Sequence, residues 1–347
     1  MANNPTSYCR VSIVVCILAK DEAGVIGNSL AQLSRQSFVK NGTEVIDIHV
    51  VANGCTDNTV DIGRSCQELF DNNRVRYFVH DLRVSGKSRT WNWAVHEFVR
   101  TSVEFIVFID ADITFLHDAV VAEMLACLRS KPARAVCSGF PVKDVGLKSK
   151  KTLLDRFSVL VSVQSQKAGV INGSLYIARA PYLQDIWLPD QTPGEDGFLN
   201  AMVTTRGFTQ PPDPTLICTA ATPTHSFKAH RPLEFVTHER RMIVGTMINR
   251  WIFEHLWSLG LPSPAGSLIR DWNEFDPEWV EKLVRQRAAE KLWLIPKGIL
   301  LGRFKRKSVW WKQMAYIPVA AAATLLTVPP AILANKRLKE LGAATTW

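Results

Sequence analysis

The first two thirds of the chain alternate short apolar runs with segments in which apolar residues recur at helical spacing. Residues 11–19 (VSIVVCILA) form a continuous apolar run, which is typical of a strand buried on both faces of a parallel sheet. Residues 44–52, 75–80 and 104–110 are further short runs rich in β-forming residues, and a helical pattern follows each of the first three runs. Repeated β-α units of this size predict an open, doubly wound, mostly parallel α/β sheet with helices on both faces.

Polar segments follow all four predicted strands: AKDE at 19–22, NGCTDNT at 53–59, SGKS at 85–88 and DAD at 110–112. Ligands of such sheets bind beyond the carboxyl ends of the strands, so we expect the four segments to face one crevice. Two of them also fit a structural role, with Asp57 capping a helix from a tight turn and Ser88 capping the helix after a surface loop. The Gly-Lys pair of SGKS lacks the rest of a phosphate-loop pattern, so no P-loop is predicted.

Asp110 and Asp112 stand at positions i and i+2 directly after the apolar run FIVFI. Because side chains alternate along an extended chain, both carboxylates point the same way and can reach one point beyond the strand. Two carboxylates that close repel each other unless a cation lies between them, and hard oxygen ligands suit Mg²⁺ or Mn²⁺. A metal site is therefore expected here; two purely structural acids are the alternative.

The end of the chain shows a different pattern. Residues 315–333 carry no charge and are followed by Lys336, Arg337 and Lys339. Basic and aromatic residues that flank an apolar stretch favour an anionic membrane surface. The stretch approaches the length of a spanning helix but is interrupted by prolines, so an interfacial or re-entrant anchor and a spanning helix both fit it. The alternative is a buried C-terminal helix pair with a solvated basic face.

Composition and charge narrow the class of protein. The 347 residues are 47% hydrophobic and 21% charged, which is the balance of a folded chain with a sizeable core. The net charge is +9, and residues 281–312 alone hold ten basic against two acidic side chains, a local charge of +8. No nucleic-acid recognition pattern accompanies this basic block, so no nucleic-acid partner is expected.

Seven cysteines are scattered along the chain without a CxxC pair or a Cys/His cluster at zinc spacing. This pattern predicts reduced thiols in a cytoplasmic protein and argues against a disulfide framework or a zinc finger. The apolar run at 11–19 is too short to span a membrane and lacks a cleavage pattern, so it is expected to be a strand.

Taken in order, these segments resemble the family 2 glycosyltransferases with the GT-A fold, from about residue 11 to residue 251. AKDE, VANGCTDNT, GKSRTWNWAV and DAD stand where that family has its nucleotide-binding turns, a helix start and its metal motif. Farther on, GVINGSLYIARA (169–180) resembles the family's donor-pocket strand, and PGEDGFL (193–199) resembles its Glu-Asp motif. THERRMIVGTMINRW (237–251) resembles the arginine-rich helix of its membrane-associated members.

This resemblance implies two parts of the chain. A GT-A nucleotide-sugar-binding domain would occupy residues 1–230, and the arginine-rich helix that completes the active site would occupy residues 231–260. Residues 261–347 lie beyond the resemblance, and their basic, aromatic and apolar pattern predicts a helical, membrane-associated C-terminal region.

The resemblance also implies roles for single residues. Asp112, with Asp110, would hold the Mg²⁺ or Mn²⁺ that bridges the diphosphate of a nucleotide sugar, and His225 would be a third ligand. Asp196 would be the general base that takes the proton of an acceptor hydroxyl in an inverting displacement, supported by Glu195. The residues implied in binding the donor are Ala19, Lys20, Glu22, Asn53, Asp57, Lys87, Asp110, Ala111, Gly173, Arg240 and Arg241.

Several of these roles have alternatives. His225 could be an ordinary histidine, with His230 as a rival ligand. Arg240 and Arg241 could lie on a helix surface, and Lys87 could be a solvated lysine instead of a phosphate contact.

The expected function is metal-assisted transfer of a sugar from a nucleotide sugar to an acceptor hydroxyl at the cytoplasmic face of the cell membrane. The segment HERRM lacks the leading Gln and the adjacent Trp of processive synthases, which favours a single transfer. Ala52 stands where the family often has an acid that contacts uracil, so the nucleotide stays open, as does the acceptor, lipid-linked or glycan. The alternatives are a non-catalytic membrane scaffold with the same fold and a nucleotidyltransferase.

Overall fold

A computed structural model of the chain describes residues 11–98, 103–148, 152, 169–228, 232–305 and 310–341. In this part of the chain, seven strands form a sheet in the order β3-β2-β1-β4-β8-β6-β9, and three short strands form a second sheet in the order β5-β10-β7. The strands are β1 Val11–Ala19, β2 Val45–Asn53, β3 Val75–Leu82, β4 Phe105–Asp110, β5 Thr114–Phe115, β6 Val136–Ser138, β7 Pro141–Lys143, β8 Leu175–Arg179, β9 Ile217–Thr219 and β10 His225–Phe227.

Helices connect these strands and continue beyond the last of them. The α-helices are α1 Ile26–Arg35, α2 Ser37–Lys40, α3 Thr59–Ser65, α4 Lys87–Phe98, α5 Val120–Arg129, α6 Asp144–Leu147, α7 Ala180–Leu183, α8 Glu195–Thr204, α9 Pro232–Ser258, α10 Gly266–Phe275, α11 Trp279–Ala289, α12 Lys297–Leu301 and α13 Trp310–Leu341. Short 3₁₀ helices cover Gln67–Phe70, Pro214–Leu216 and Gly302–Lys305.

The main sheet is mostly parallel, as its sequence pattern predicts. Strand β1 pairs in parallel with both β2 and β4, and β2 pairs in parallel with β3. Strand β8 runs antiparallel between β4 and β6, and β9 closes the edge in parallel with β6. The doubly wound α/β architecture is therefore confirmed.

Strand β1 shows why an unbroken apolar run was needed. Ile13, Val15 and Ile17 belong to the apolar layer on one face of the sheet, whereas Val14 and Cys16 belong to the layer on the other face. Side chains alternate along a strand, so a strand covered by helices on both faces has no position left for a polar side chain.

The predicted arginine-rich helix is α9, and it packs against the long last helix, α13. Helix α13 is continuous although it contains Pro318, Pro329 and Pro330. It therefore forms one long element that lies against α9 and α11, where the sequence pattern predicted a stretch broken by its prolines.

One face of α13 is buried and the other is exposed. Ala323, Ala331 and Ala334 are at most 5% exposed, whereas Leu325 and Ile332 are 72% and 53% exposed. Contrary to the spanning alternative for residues 315–333, none of the helices in the described ranges is long and apolar enough to cross a membrane. Arg306 and Lys307 of the basic block, like His230, lie outside the described residues.

Candidate active site

The carboxyl ends of β1, β2 and β4 lie side by side and bring the predicted polar segments to one edge of the sheet. Leu18 is in register with Asp110, and Ala19 is in register with Ala52. The N–H of Ala111 donates to the carbonyl of Leu18 at 3.3 Å, so the DAD segment leaves the sheet directly beside the end of β1. The AKDE and DAD segments therefore meet in one crevice.

Three carboxylates, those of Glu22, Asp110 and Asp112, crowd this edge. Burial, and then repulsion by Asp112 and Asp110, raise the pKa of Glu22 to about 7. Burial also raises the pKa of Asp110, against the attraction of Lys87. Carboxylates that repel one another resist ionising together unless a cation joins them. The hard oxygen donors and their surplus negative charge fit a divalent ion such as Mg²⁺ or Mn²⁺, and Glu22 joins the two predicted aspartates as a residue that could hold it.

Lys87, the first residue of α4, links two predicted site residues. Its Nζ lies 2.9 Å from Asp110 Oδ1 and 2.9 Å from Glu195 Oε1. Burial lowers the pKa of Lys87, but the two carboxylates raise it more, and the net pKa lies well above its usual value. Lys87 thus forms ion pairs with the end of β4 and with the start of α8. It is not a solvated lysine, and both carboxylates already hold its ammonium group.

Asp196 follows Glu195 in the first turn of α8 and lines a small cavity with Lys87, Asp110 and Gly173. Burial, and then repulsion by Glu195, raise the pKa of Asp196 to about 6. The N–H of Gly197 donates to its Oδ1 at 2.7 Å, which fixes the carboxylate. A carboxyl group with this pKa ionises just below neutrality, where it can accept a proton and is still a stronger base than an ordinary aspartate.

Gly173 is needed where the loop before β8 approaches Asp196. A Cβ at this position would lie 3.1 Å from the Cβ of Asp196, closer than side chains normally pack. The glycine therefore lets the backbone pass beside the carboxylate, in agreement with its predicted place in the site.

Helix α9 brings Arg241 to the same crevice. Burial lowers the pKa of Arg241, whereas attraction by Glu195, Asp110 and Asp196 raises it, which places its guanidinium near all three acids. Arg240 precedes it on α9 and is half-buried. Helix α9 is fixed there because Asn249 Nδ2 donates to the carbonyl of Gly194 at 2.7 Å, directly before α8.

His225 lies beside the metal motif, but hydroxyl groups occupy both of its ring nitrogens. Its Nε2 is 2.7 Å from Ser174 Oγ and its Nδ1 is 2.8 Å from Thr224 Oγ1. The carbonyl of Ser174 accepts from the N–H of Asp110 at 2.9 Å. Ser174 therefore lies between the imidazole and the aspartates. Burial lowers the pKa of His225 to about 4, which keeps it neutral as a metal ligand must be. Ligation by Nε2 would require Ser174 to release it.

The donor-side turns are held mainly by their own polar side chains. Asn53 Oδ1 accepts from the N–H of Gly86 at 2.7 Å and from Thr90 Oγ1 at 2.9 Å, which ties the SGKS loop to the end of β2. Asp57 accepts from the N–H groups of Thr59 and Ala23, both at 3.0 Å. Asp57 thus holds the N–H of Thr59, the first residue of α3, although Asn58 occupies the N-cap position. Asn53 is buried beneath the crevice, whereas Asp57 is exposed.

Two further predicted positions differ from expectation. Lys20 donates to the carbonyl of Gly54 and pairs with Asp21 at 2.9 Å, so it joins two turns. The predicted Ser88 cap is wrong, because Ser88 lies inside α4 and donates to the carbonyl of Thr192 at 3.3 Å. A helix that starts at Lys87 places Ser88 inside its first turn, past the N-cap position.

Sequence reasoning missed Ser174 and Asp21. Ser174 connects Asp110 to His225, and Asp21, at a positive φ of 54°, accepts from the N–H of Thr56 at 2.6 Å. Ser174 had no signal beyond its place in the GSLY segment. For Asp21, the signal was a carboxylate directly after a strand end, in the same AKDE segment that supplied Lys20 and Glu22.

Comparisons with known proteins point to one family. Residues 14–186 match the family model described as glycosyl transferase family 2. Among curated protein sequences, none matches the chain.

Comparison with solved structures finds similar folds at low sequence identity. A mannosyltransferase from Pyrobaculum calidifontis in complex with GDP-Man and Mn²⁺ is 17% identical, with a TM-score of 0.52 over 95% of this chain and 88% of that chain. A glucosyl-3-phosphoglycerate synthase from Mycobacterium tuberculosis in complex with Mn²⁺, UDP-Glc and phosphoglyceric acid is 15% identical, with a TM-score of 0.49 over 69% of this chain and 79% of that chain.

Proposed function

The chain is a glycosyltransferase with a family 2 domain over residues 14–186, and we propose that it moves a sugar from a nucleoside diphosphate to an acceptor hydroxyl with inversion. The observation that carries this proposal is Asp196, a carboxyl group whose pKa is raised to about 6. It lines the same cavity as Asp110, one of the three carboxylates that would hold a divalent ion. A base and a metal-binding group on one cavity are what a single displacement at an anomeric carbon requires.

The metal and the donor belong on the side of the three acids. Glu22, Asp110 and Asp112 would hold Mg²⁺ or Mn²⁺, which supplies positive charge to the donor diphosphate when it is bound. The similar mannosyltransferase was solved with GDP-Man and Mn²⁺, which supports this class of donor and ion.

Residues of the chain itself remove the proton, stabilise the developing charge and position the acids. Asp196 takes the proton of the acceptor hydroxyl as that oxygen bonds to the anomeric carbon. The bond from this carbon to the diphosphate oxygen breaks, and its electron pair leaves with the nucleoside diphosphate. Arg241 faces the developing charge, while Lys87 holds Asp110 and Glu195 in position through its two ion pairs.

The first test is release of nucleoside diphosphate by purified full-length protein given UDP-, GDP- or dTDP-sugars, with Mn²⁺ or Mg²⁺ and membrane extract as acceptor. We expect one donor to be turned over with metal, and Asp112→Ala and Asp196→Asn to abolish turnover. Asp61→Asn is a matched control, because Asp61 is a largely exposed aspartate on α3.

The outcome also separates the alternatives. Donor binding without turnover in the presence of extract would contradict the proposal and favour a scaffold that keeps nucleotide binding. Release of pyrophosphate from a nucleoside triphosphate and a sugar phosphate would favour a nucleotidyltransferase.

We also propose that the enzyme works on an anionic membrane surface and reaches it through the exposed face of α13. The exposed apolar side chains of this face are Ile317, Leu325, Leu326, Ile332 and Leu333. Exposed Lys336 and Lys339 lie one to two turns beyond them on the same helix. Apolar side chains beside lysines match an interfacial helix on acidic lipids, and such a position would bring the crevice near a lipid-linked or membrane-proximal acceptor.

A further inference from the structure

Three cysteines from α5, β6 and β9 meet at one edge of the main sheet. Cys137 and Cys218 are register partners on the neighbouring parallel strands β6 and β9. Cys127, on α5, packs over the same apolar layer. The three Sγ atoms all lie within 4.8 Å of one another.

We propose that Cys127, Cys137 and Cys218 form a binding site for a soft metal ion of the Zn²⁺ class. The Sγ atoms of Cys127 and Cys218 are 3.9 Å apart. Zinc–sulfur bonds of roughly 2.3 Å at tetrahedral angles place two sulfur ligands about 3.8 Å apart, so this pair is already at ligand spacing. The third thiol needs a shift of no more than about 1 Å to reach the same spacing.

A cation lies beside the cluster. Lys131 Nζ lies 3.5 Å from Cys127 Sγ, one turn along the chain from it. Three thiolates around a divalent ion leave one negative charge, which the Lys131 ammonium would offset.

The site differs in chemistry from the acidic crevice. Sulfur ligands select soft ions, whereas the carboxylates of Asp110 and Asp112 suit hard ions such as Mg²⁺ and Mn²⁺. Cys137 is fully buried and Cys218 is 9% exposed, while Cys127 is partly exposed, so a fourth, water-filled position would open on the side of Cys127.

Such an ion would stabilise the edge of the main sheet. Strand β9 is the edge strand of the main sheet and has only three residues, Ile217–Thr219. The chain continues from it to Thr224 and His225, beside the metal motif of the active site. An ion shared by α5, β6 and β9 would hold this short strand in place and, through it, the position of His225.

The test uses the reduced full-length protein under anaerobic conditions, titrated with Co²⁺ as a spectroscopic probe for Zn²⁺. We expect one equivalent of Co²⁺ to give a sulfur-to-cobalt charge-transfer band and the visible bands of a tetrahedral ion, and Zn²⁺ to abolish both. Cys218→Ser and Cys127→Ser should lose these bands, and Zn²⁺ should raise the Tm of the wild type but not that of Cys127→Ser.

Two control variants make the result specific. Cys66→Ser removes another partly buried thiol, outside the cluster, and should keep the bands. Asp112→Ala should also keep them, so the experiment reports on this site whether or not the chain transfers sugars.

A serine at the buried Cys218 could disturb folding, whereas Cys127 is partly exposed, so Cys127→Ser still tests the site. Circular dichroism checks that each variant is folded. The proposal is overturned if the wild type shows no sulfur-to-cobalt band, or if the band survives in folded Cys127→Ser. Formation of a Cys127–Cys218 disulfide in air despite excess Zn²⁺, seen as the loss of two hydrogen atoms by mass, would also overturn it.

Discussion

The proposed catalysis depends on a few side chains at the start of α8, and Asp196 is the proposed base among them. Asp196→Asn keeps the shape of the side chain and an oxygen to accept from the N–H of Gly197, but it removes the base. We expect kcat to fall by at least about a hundredfold, with donor affinity unchanged. Steady-state kinetics and donor titration measure the two quantities, and Asp61→Asn should match the wild type in both. Equal losses of kcat and of donor affinity would contradict the assignment of Asp196 as a base.

The same residue predicts a pH dependence. The pKa of Asp196 is raised from its usual 3.8 to about 6, and only the ionised form can accept a proton. The value of kcat should therefore rise with pH through about 6 and level off above 7, because the fraction of ionised base increases over that interval. A kcat profile between pH 5 and pH 8, at saturating donor and metal, tests this. A flat profile, or one that falls as pH increases, would exclude Asp196 as the base.

Lys87 gives a prediction of stability. Its side chain is 28% exposed and lies 2.9 Å from both Asp110 and Glu195, so Lys87→Met leaves two neighbouring carboxylates without their cation. We expect the free energy of unfolding at pH 7 to fall by about 2 kcal/mol or more, since breaking a partly buried ion pair leaves uncompensated charge. Urea denaturation measures this, and Lys40→Met, at an exposed lysine on α2, is the control. Equal stability of the two variants would show that Lys87 does not hold the acids together.

At the scale of elements, the local pattern was sufficient to predict the strands. The buried strands β1 and β4 coincide with continuous apolar runs, because a strand covered on both faces admits few polar positions. Strand β2 has the same apolar character except at Asp47 and His49. The polar segments after these strands could be brought to one crevice from the sequence because the carboxyl ends of parallel strands share an edge.

Other features depend on contacts between distant segments and had no local signal. The hydroxyl partners of His225 come from Ser174 and Thr224, and the cysteine cluster joins three elements across 91 residues. Helix α13 continues through its prolines because its alanine face packs on α9, and no local pattern reveals such tertiary support.

Helix α13 carries the prediction about membranes. Leu325→Glu combined with Leu326→Glu places two negative charges on its exposed apolar face, where they oppose contact with acidic lipids. We expect the wild type to sediment with anionic vesicles more than with neutral ones, and the double variant to lose most of this binding. Leu69→Glu, at an exposed leucine of the 3₁₀ helix Gln67–Phe70, controls for added charge alone. Equal sedimentation of the double variant and the wild type would remove α13 from the membrane proposal.

For the molecule as a whole, the acidic crevice should cost stability that a metal ion restores. The pKa of Glu22 is raised from 4.5 in the unfolded chain to about 7 in the folded protein, first by burial and then by Asp112 and Asp110. Below pH 4.5 this group is protonated in both states and has no effect on stability. Between pH 4.5 and 7 the unfolded chain releases a proton that the folded protein retains, so the free energy of unfolding decreases as pH rises.

Glu22→Gln removes this penalty. In the presence of EDTA, the variant should be more stable than the wild type by about 1–2 kcal/mol at pH 8, after allowance for solvent screening, and the difference should disappear near pH 4.5. Denaturation at the two pH values measures it, with Glu123→Gln, an exposed glutamate on α5, as the control. Because the repulsion is what a divalent ion would relieve, Mn²⁺ should raise the Tm of the wild type more than that of Glu22→Gln. If Glu22→Gln is no more stable than the wild type at pH 8, Glu22 does not destabilise the fold. If Mn²⁺ raises the Tm of both proteins equally, Glu22 does not face the metal.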